Sequence, residues 1–308
     1  MSRAVVPAEP GPALVLGGGG AFGIIQAAYI LAAYEAGFRP TIVVGTSVGS
    51  LNGAHLALFP NEPERLLKIW LGLDSMKLVQ LQPWRVMRQL VRNPRALFAN
   101  EIVPQIVARH LHGSSFSDLK LALGVVATNL HRGEKHVFQF GPLEPAILAS
   151  TAIPGVYDPV NIGGELFVDG CVSASVDIAT AVAMGATEIL AIDLTPPPAL
   201  AQPKTIFGVM RQSFSILSRS STGAMESCVS RQMPVRVIRP DLSRSSPWRL
   251  DDSAGSVAHN LRLAREAIPD VLAGGRVIPA ESTCLLPASE FAAAPIALDR
   301  FFRARRTG

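Results

Sequence analysis

The sequence has few of the features that mark secreted, membrane-spanning or disulfide-rich proteins. Its three cysteines, Cys171, Cys228 and Cys284, are widely spaced and odd in number, so they predict neither a disulfide framework nor a zinc site. The first twelve residues contain proline and glutamate and lack the apolar segment of a signal peptide. No patterned apolar run reaches the roughly 20 residues of a membrane helix. We expect a cytoplasmic protein, either soluble or peripheral at the inner face of the membrane.

Charge is also sparse. Charged residues make up 17% of the chain and hydrophobic residues 48%, which indicates a compact, heavily buried protein and excludes a disordered one. The formal net charge is +4, but the Lys and Arg residues are scattered, so no nucleic-acid partner is expected. No metal or organic cofactor is predicted.

Short apolar runs alternate with segments of helical periodicity. Strands are predicted at 13–16, 41–44, 121–128, 135–140, 166–168, 188–193 and 235–238. Helices are predicted at 21–36, 48–59, 176–184 and 256–272, and residues 213–230 are compatible with another. This alternation predicts an α/β protein with a mostly parallel central sheet flanked by helices. We expect a flexible N-terminus at 1–12, one domain at 13–273 with a helical cap-like insertion at 61–112, and a C-terminal tail at 274–308.

Two glycine-marked turns follow the first two predicted strands. The second, Gly45-Thr46-Ser47-Val48-Gly49, fits the nucleophile elbow, in which a serine stands on a sharp strand-to-helix turn between small neighbours. The helix start behind Ser47 would place partial positive charge near an anion formed there. A plain tight turn is the alternative interpretation.

The first turn, Gly17 to Gly20 with Gly23, literally matches a dinucleotide-binding fingerprint through Gly18, Gly20 and Gly23. That function requires an acidic residue roughly 20 positions further on, to bind a ribose hydroxyl. No Asp or Glu occurs between Glu35 and Glu62. A nucleotide-binding protein is therefore an alternative for which the ribose-binding acidic residue is missing.

A nucleophilic serine needs a base, and two residue types are candidates. In the Ser-acid-His order of an α/β-hydrolase triad, only His259 lies late enough, after an acid such as Asp169 or Asp193. However, an amphipathic helix surface also explains His259, and an elbow at residue 47 leaves too few preceding strands for that fold. The other candidate is Asp169 itself, at a strand end beside Gly170, where capping of the next helix is the competing role.

Three separated motifs together resemble the patatin-like phospholipase family. They are GGGGAFG at Gly17 to Gly23, GTSVGSLNG at Gly45 to Gly53, and the aspartate-glycine of VDGC at Val168 to Cys171. Supporting segments are Ala127 to Phe138 and Ala149 to Val160, the latter close to the family's Ser-x-Ala-x-Pro stretch. The resemblance covers roughly Ala13 to Leu194.

The resemblance implies a three-layer α/β/α fold and a serine–aspartate dyad without histidine. Ser47 would be the nucleophile, Asp169 its base, and the backbone of Gly18, Gly19 and Gly20 the oxyanion hole. Gly17, Gly23, Gly45, Gly49 and Gly170 would support these motifs. The implied activity is hydrolysis of carboxylic esters of lipids, of the phospholipase A or lysophospholipase kind, with lipid or lysolipid as substrate.

The chain departs from the family pattern in the first glycine turn and after Asp169-Gly170, where Ala174, Ser175 and Asp177 stand in place of the Asn and Pro that often follow. Phe22 stands where many relatives carry Arg or Lys, and Cys171 follows Asp169-Gly170 where Gly or Ala is usual. These departures motivate a third hypothesis, a catalytically silent lipid-binding or scaffold protein.

A basic amphipathic segment is present at PWRVMRQLVRNPRALF. Arg85, Arg88, Arg92 and Arg95 recur there at helical spacing, with apolar residues between them. Such a segment predicts contact with an anionic membrane surface, while a solvated face on a cap helix is the alternative.

Overall fold

The computed structural model describes residues 9–73, 95–98, 102–111, 113–197, 203, 205–243 and 253–274. Within these ranges eight strands form one sheet. They are β1 Gly11–Leu16, β2 Ile42–Thr46, β3 Ala122–Asn129, β4 Glu134–Phe138, β5 Val160–Ile162, β6 Glu165–Asp169, β7 Ala186–Ile192 and β8 Val235–Ile238. Five neighbours, in the order β3-β2-β1-β7-β8, are parallel, and β4, β5 and β6 extend the sheet with antiparallel pairings.

Helices connect most of the parallel strands. They are α1 Gly23–Glu35, α2 Val48–Leu58, α3 Pro63–Gly72, α4 Ile102–His110, α5 Leu143–Ser150, α6 Ile178–Ala183, α7 Ile206–Val229 and α8 Ser253–Leu272. Short 3-10 turns lie at Gly20–Phe22, Phe116–Asp118 and Gly170–Val172. None of the described helices is both long and apolar enough to cross a membrane.

The sheet is covered on both faces. Along β1, Leu14 and Leu16 belong to one core cluster, which includes residues of α1, α2 and α8. Ala13 and Val15 belong to the other cluster, which includes residues of α6 and the end of α7. Successive side chains of a strand point to opposite faces, so the sheet lies between two helical layers. The predicted α/β class is confirmed.

Both edges of β3 are occupied. β4 pairs with Val125–Asn129 along one edge. β2 pairs with Ala122–Val126, and β6 pairs antiparallel with Ala127–Asn129. Because Val126 and Ala127 each also pair with β4, β2 and β6 share the opposite edge of β3 and approach each other end to end.

Several predicted boundaries shift by one to three residues. The first strand begins at Gly11, and a 3-10 turn at Gly20–Phe22 precedes the first α-helix. Helix α5 and strand β5 were not predicted, because each is short and has no clear periodicity. Within the predicted insertion at 61–112, α3 and α4 are helical. Residues 95–98 are not, since Ala96 forms a parallel bridge with Gly155. The domain boundaries stay a prediction, and residues 275–308 of the tail lie outside the described residues.

Candidate active site

The topology of the sheet brings Ser47 and Asp169 together. Thr46, the last residue of β2, pairs with Val126, and Asp169, the last residue of β6, pairs with Ala127. The two strands therefore end at neighbouring residues of β3. Ser47 follows directly after Thr46, and its Oγ donates a 2.6 Å hydrogen bond to Oδ2 of Asp169.

Ser47 has the backbone conformation of a nucleophile elbow. Its φ of 54° and ψ of −126° make it the only non-glycine residue with positive φ in the described part of the chain. Such a conformation is strained and persists only when its surroundings hold it. The tight turn requires glycine nearby, because a Cβ on Gly49 would collide with the carbonyl of Leu16 and one on Gly45 with the carbonyl of Gly49. Helix α2 begins at the next residue, so Ser47 stands at its positive end.

Asp169 is almost completely buried, with 2% of its surface exposed. Its Oδ1 accepts a 2.8 Å hydrogen bond from the amide of Cys171, and its Oδ2 accepts the one from Ser47. Burial raises the pKa of Asp169 from 3.8 to about 6, against the lowering effect of these hydrogen bonds. The carboxylate is thus a stronger base than an exposed aspartate while remaining ionised at neutral pH.

The first glycine turn lies beside the dyad. A Cβ on Gly18 would collide with Sγ of Cys171 and lie 3.1 Å from Cβ of Ser47, so only glycine allows this approach. The amide of Gly18 donates to the carbonyl of Ser175 at 3.3 Å. The amides of Gly19 and Gly20 have no hydrogen-bond acceptor among the described residues.

A network of buried polar side chains forms hydrogen bonds to the first glycine turn. Nε2 of Gln26 donates to the carbonyl of Gly17 at 3.0 Å. Nδ2 of Asn52 donates to the carbonyl of Gly23 at 3.0 Å and to Oε1 of Gln26 at 2.9 Å. Nε1 of Trp70 donates to Oδ1 of Asn52 at 2.7 Å. The network ties both ends of the glycine turn to α1, α2 and α3.

A cavity of about 160 Å³ opens onto the dyad. The glycine turn, Phe22, Ser47, Asp169 and Cys171 line one part of it. Apolar side chains from two loops and from α7 line the rest, and they are Ile153, Pro154, Val156, Leu194, Met210 and Phe214. Phe22 is 3% exposed, so this departure from the family pattern adds an apolar wall. A cavity of this size and lining suits an apolar group.

Cys171 also lies at this site, packed against the glycine turn. Burial, with the charge of Asp169 as a further cause, raises the pKa of its thiol well above the usual value. The thiol is therefore protonated at neutral pH and unsuited to act as a nucleophile.

The histidine-based alternative does not match the geometry. His259 lies on α8, and its Nε2 is 3.2 Å from Oδ2 of Asp241. The carboxylate of Asp193 accepts hydrogen bonds from the amide of Thr195 and from Arg239. None of the described histidines lines the cavity or hydrogen-bonds to the dyad.

The basic segment is only partly described. Arg85, Arg88 and Arg92 lie outside the described residues. Arg95, which follows Asn93-Pro94 in the sequence, lies in a turn, and its Nε is 4.0 Å from the carboxylate of Asp158. The contact of this segment with an anionic membrane surface stays a prediction. No group of three or more His, Cys, Asp or Glu side chains within the described ranges is placed to hold a metal ion.

The contacts between the end of α5 and the dyad were not predicted from the sequence. Oγ of Ser150 accepts a 2.8 Å hydrogen bond from the amide of Ser47, and the carbonyl of Ala152 accepts one of 2.9 Å from the amide of Asp169. The Ser-x-Ala-x-Pro pattern of residues 150–154 was the available signal, but a pattern alone does not indicate which atoms it contacts.

The family model described as patatin-like phospholipase matches residues 14–182, more than half of the chain. The chain therefore belongs to the patatin-like phospholipase family. It is 31% identical over 188 residues to an uncharacterized NTE family protein of Mycobacterium bovis. These 188 residues correspond to 60% of this chain and 49% of that protein. It is 29% identical over 184 residues to the lysophospholipase NTE1 of Phaeosphaeria nodorum, which covers 59% of this chain and 12% of that protein. The chain thus spans less than half the length of either relative.

Two solved structures are similar over 87% of the chain. VipD from Legionella pneumophila has a TM-score of 0.43 at 13% identity, with 67% of that chain covered. The type III effector protein ExoU of Pseudomonas aeruginosa has a TM-score of 0.41 at 14% identity, with 53% of that chain covered.

Proposed function

We propose that the chain is a serine hydrolase that cleaves carboxylic ester bonds of lipids, with Ser47 as nucleophile and Asp169 as its base. The observation that carries this proposal is the 2.6 Å hydrogen bond from Ser47 Oγ to Asp169 Oδ2 beside an apolar cavity. Membership of the patatin-like phospholipase family supports the same reaction class.

In the first half of the reaction Asp169 accepts the proton of Ser47 as Oγ bonds to the ester carbonyl carbon. The resulting tetrahedral intermediate collapses, the bond to the alkoxy oxygen breaks, and Asp169 returns the proton to the departing alcohol. This leaves an acyl group on Ser47. In the second half Asp169 takes a proton from water, the hydroxide attacks the acyl carbon, and the fatty acid leaves as Oγ regains its proton.

The tetrahedral intermediate carries a negative oxygen that needs hydrogen-bond donors. Since the amide of Gly18 already donates to Ser175, the proposal assigns this role chiefly to the amides of Gly19 and Gly20. One such donor is typically worth about 3–4 kcal/mol in the transition state. The start of α2 at Ser47 adds partial positive charge on the same side.

The cavity is the proposed site of the acyl chain. Its walls are apolar, from Phe22 at the glycine turn to Phe214 on α7. The name of the Phaeosphaeria relative, lysophospholipase, supports a lysolipid or phospholipid substrate. The scheme uses no metal or organic cofactor.

The two alternatives predict different behaviour. A nucleotide-binding protein would place a phosphate at the glycine turn, where the buried carboxylate of Asp169 would repel it. A silent lipid-binding protein would not require the hydrogen bond between Ser47 and Asp169. The strained serine and the raised pKa of Asp169 therefore favour the hydrolase.

Mass spectrometry after treatment with a fluorophosphonate probe tests the proposal. We expect one adduct, on Ser47, and hydrolysis of a short-chain nitrophenyl ester that is abolished by Ser47→Ala and by Asp169→Asn. Ser215→Ala is the matched control, because Ser215 is a buried serine that lines the same cavity. The Ser215→Ala variant should be labelled on Ser47 and should hydrolyse the ester. Full activity of either dyad variant, or saturable NAD or ATP binding without labelling, would reject the proposal.

A further inference from the structure

A single turn at the end of α5 contacts both members of the dyad. Oγ of Ser150, the last residue of that helix, accepts from the amide of Ser47 at 2.8 Å. Two residues later, the carbonyl of Ala152 accepts from the amide of Asp169 at 2.9 Å. The two residues of the dyad are 122 positions apart in the sequence, yet one short segment holds the backbone of both.

The hydroxyl of Ser150 connects two strands at the point where their ladder ends. While accepting from Ser47, it donates a 2.6 Å hydrogen bond to the carbonyl of Val126. Val126 pairs with Thr46 in the last register position between β2 and β3. The hydroxyl therefore links the two strands one residue beyond the ladder, where the elbow carries the chain out of the sheet.

This link is shielded from solvent. Ser150 is completely buried, and Ser47 is 4% exposed. If the hydroxyl were removed, the amide of Ser47 would have no partner at the position where the backbone is strained. The elbow would then be free to relax, and Oγ of Ser47 would move away from Asp169.

We propose that Ser150 is a positioning residue that holds the backbone of Ser47 in its strained conformation, so that the serine Oγ meets Asp169. This role rests on the proposed function, because it acts on the Ser47–Asp169 pair. The main-chain carbonyl of Ala152 likewise holds the backbone of Asp169, by accepting the hydrogen bond from its amide.

The direct test is Ser150→Ala compared with Thr151→Ala. Thr151 is the next residue, is also buried, and its hydroxyl donates to the carbonyls of Ile147 and Leu148 in α5. A displaced nucleophile typically costs about 10- to 100-fold, so kcat of Ser150→Ala should fall by that factor with KM unchanged. Thr151→Ala should keep the kcat of the parent protein.

A second variant tests whether Ser150 acts only by filling space. Ser150→Cys fills the position with a somewhat larger side chain but replaces the hydroxyl by a weakly hydrogen-bonding thiol. If the hydrogen bonds position Ser47, this variant should lose activity as Ser150→Ala does. Activity equal to that of the parent would mean that Ser150 only fills space, and it would overturn the proposal. Circular dichroism and thermal unfolding identify any variant that fails to fold.

The pH profile supplies a readout that a purely structural role would not move. The hydrogen bond from Ser47 lowers the pKa of Asp169 against the effect of burial, and the neighbouring titratable side chain is the thiol of Cys171. When Ser47 moves away, the pKa of Asp169 should rise, so the acid limb of kcat/KM should shift to higher pH. An unshifted limb in Ser150→Ala, together with an unchanged kcat, would refute the positioning role.

Fluorophosphonate labelling distinguishes this proposal from the function it rests on. If the parent protein is not labelled on Ser47, the hydrolase assignment itself fails. If the parent is labelled and Ser150→Ala is labelled at the same rate, the hydrolase assignment stands and the role of Ser150 is rejected. The expected result is labelling of Ser150→Ala that is slowed by the same factor as kcat.

Discussion

Replacing Asp169 by Asn should abolish ester hydrolysis and, at the same time, stabilise the fold at neutral pH. The carboxylate is buried, and burial raises its pKa from 3.8 to about 6. A group that is harder to ionise in the folded protein than in the unfolded chain makes the folded state less stable whenever it is ionised. Asn fills the same space without the charge.

The size of the effect follows from the two pKa values. At about 1.4 kcal/mol per pH unit, the difference between 3.8 and about 6 corresponds to a cost of about 3 kcal/mol. The direction of the pH dependence follows from the number of protons that Asp169 binds in the folded and unfolded states. Below pH 3.8 Asp169 is protonated in both states and costs nothing, between 3.8 and 6 the cost grows, and above 6 it is complete.

The hydrogen bonds of Asp169 survive the change. Oδ1 of an asparagine can accept from the amide of Cys171, and its Nδ2 can donate to Oγ of Ser47. Denaturant unfolding should therefore show Asp169→Asn to be more stable than the parent by about 1–3 kcal/mol at pH 7.5. Most of that difference should disappear at pH 4.

Asp177→Asn is the matched control with the opposite sign. Asp177 is also buried, but its carboxylate caps α6 through the amide of Thr180 and pairs with Lys135 at 2.9 Å. Its replacement should destabilise the protein at pH 7.5 by about 1–2 kcal/mol. If Asp169→Asn were destabilised to the same extent, or if its effect were independent of pH, burial of the charge at Asp169 would not be what destabilises the parent protein.

Three further predictions concern the same cavity. Below a pH of about 6, kcat/KM should fall about tenfold per unit, because only the ionised form of Asp169 accepts a proton, and a flat pH–rate profile would contradict this. Gly18→Ala should lose most of the ester hydrolysis through collision with Sγ of Cys171, and the double variant with Cys171→Gly should recover part of it. If the double variant recovered no activity, the loss in Gly18→Ala would have a cause other than this collision. Phe214→Trp should lower kcat/KM for long-chain nitrophenyl esters more than for short ones, whereas equal losses would mean that the acyl chain binds outside the cavity.

The parts of the site that depend on neighbouring residues could be predicted from the sequence. The elbow needs small residues on both sides of Ser47, since Gly45 and Gly49 lie against backbone carbonyls. The requirement for small residues can be recognised in the five consecutive residues from Gly45 to Gly49. The position of Asp169 at the end of a strand followed similarly from a short apolar run before a glycine.

Long-range pairings were beyond the sequence. Nothing in the apolar run of β6 indicates that it lies antiparallel to β3, on the edge that β2 also uses. Gln26 interrupts an apolar helix in the sequence, and its partners, the carbonyl of Gly17 and the amide of Asn52, come from other elements. A buried polar side chain is explained by partners that only the folded chain brings to it.

In the reaction proposed for Asp169, its pKa has to balance base strength against the fraction of carboxylate that is ionised. Burial raises it, and the hydrogen bonds from Ser47 and from the amide of Cys171 lower it. With those hydrogen bonds but without burial, the aspartate would be too weak a base to take the serine proton at neutral pH. With burial alone, its pKa would move further up, and a larger share of the protein would carry a protonated, inactive carboxyl. A pKa of about 6 keeps most of the carboxylate ionised at pH 7 and makes it a stronger base than an exposed aspartate. The segment from Ser150 to Ala152 preserves this balance, because it holds the serine that donates one of those hydrogen bonds and the strand end that carries the carboxylate.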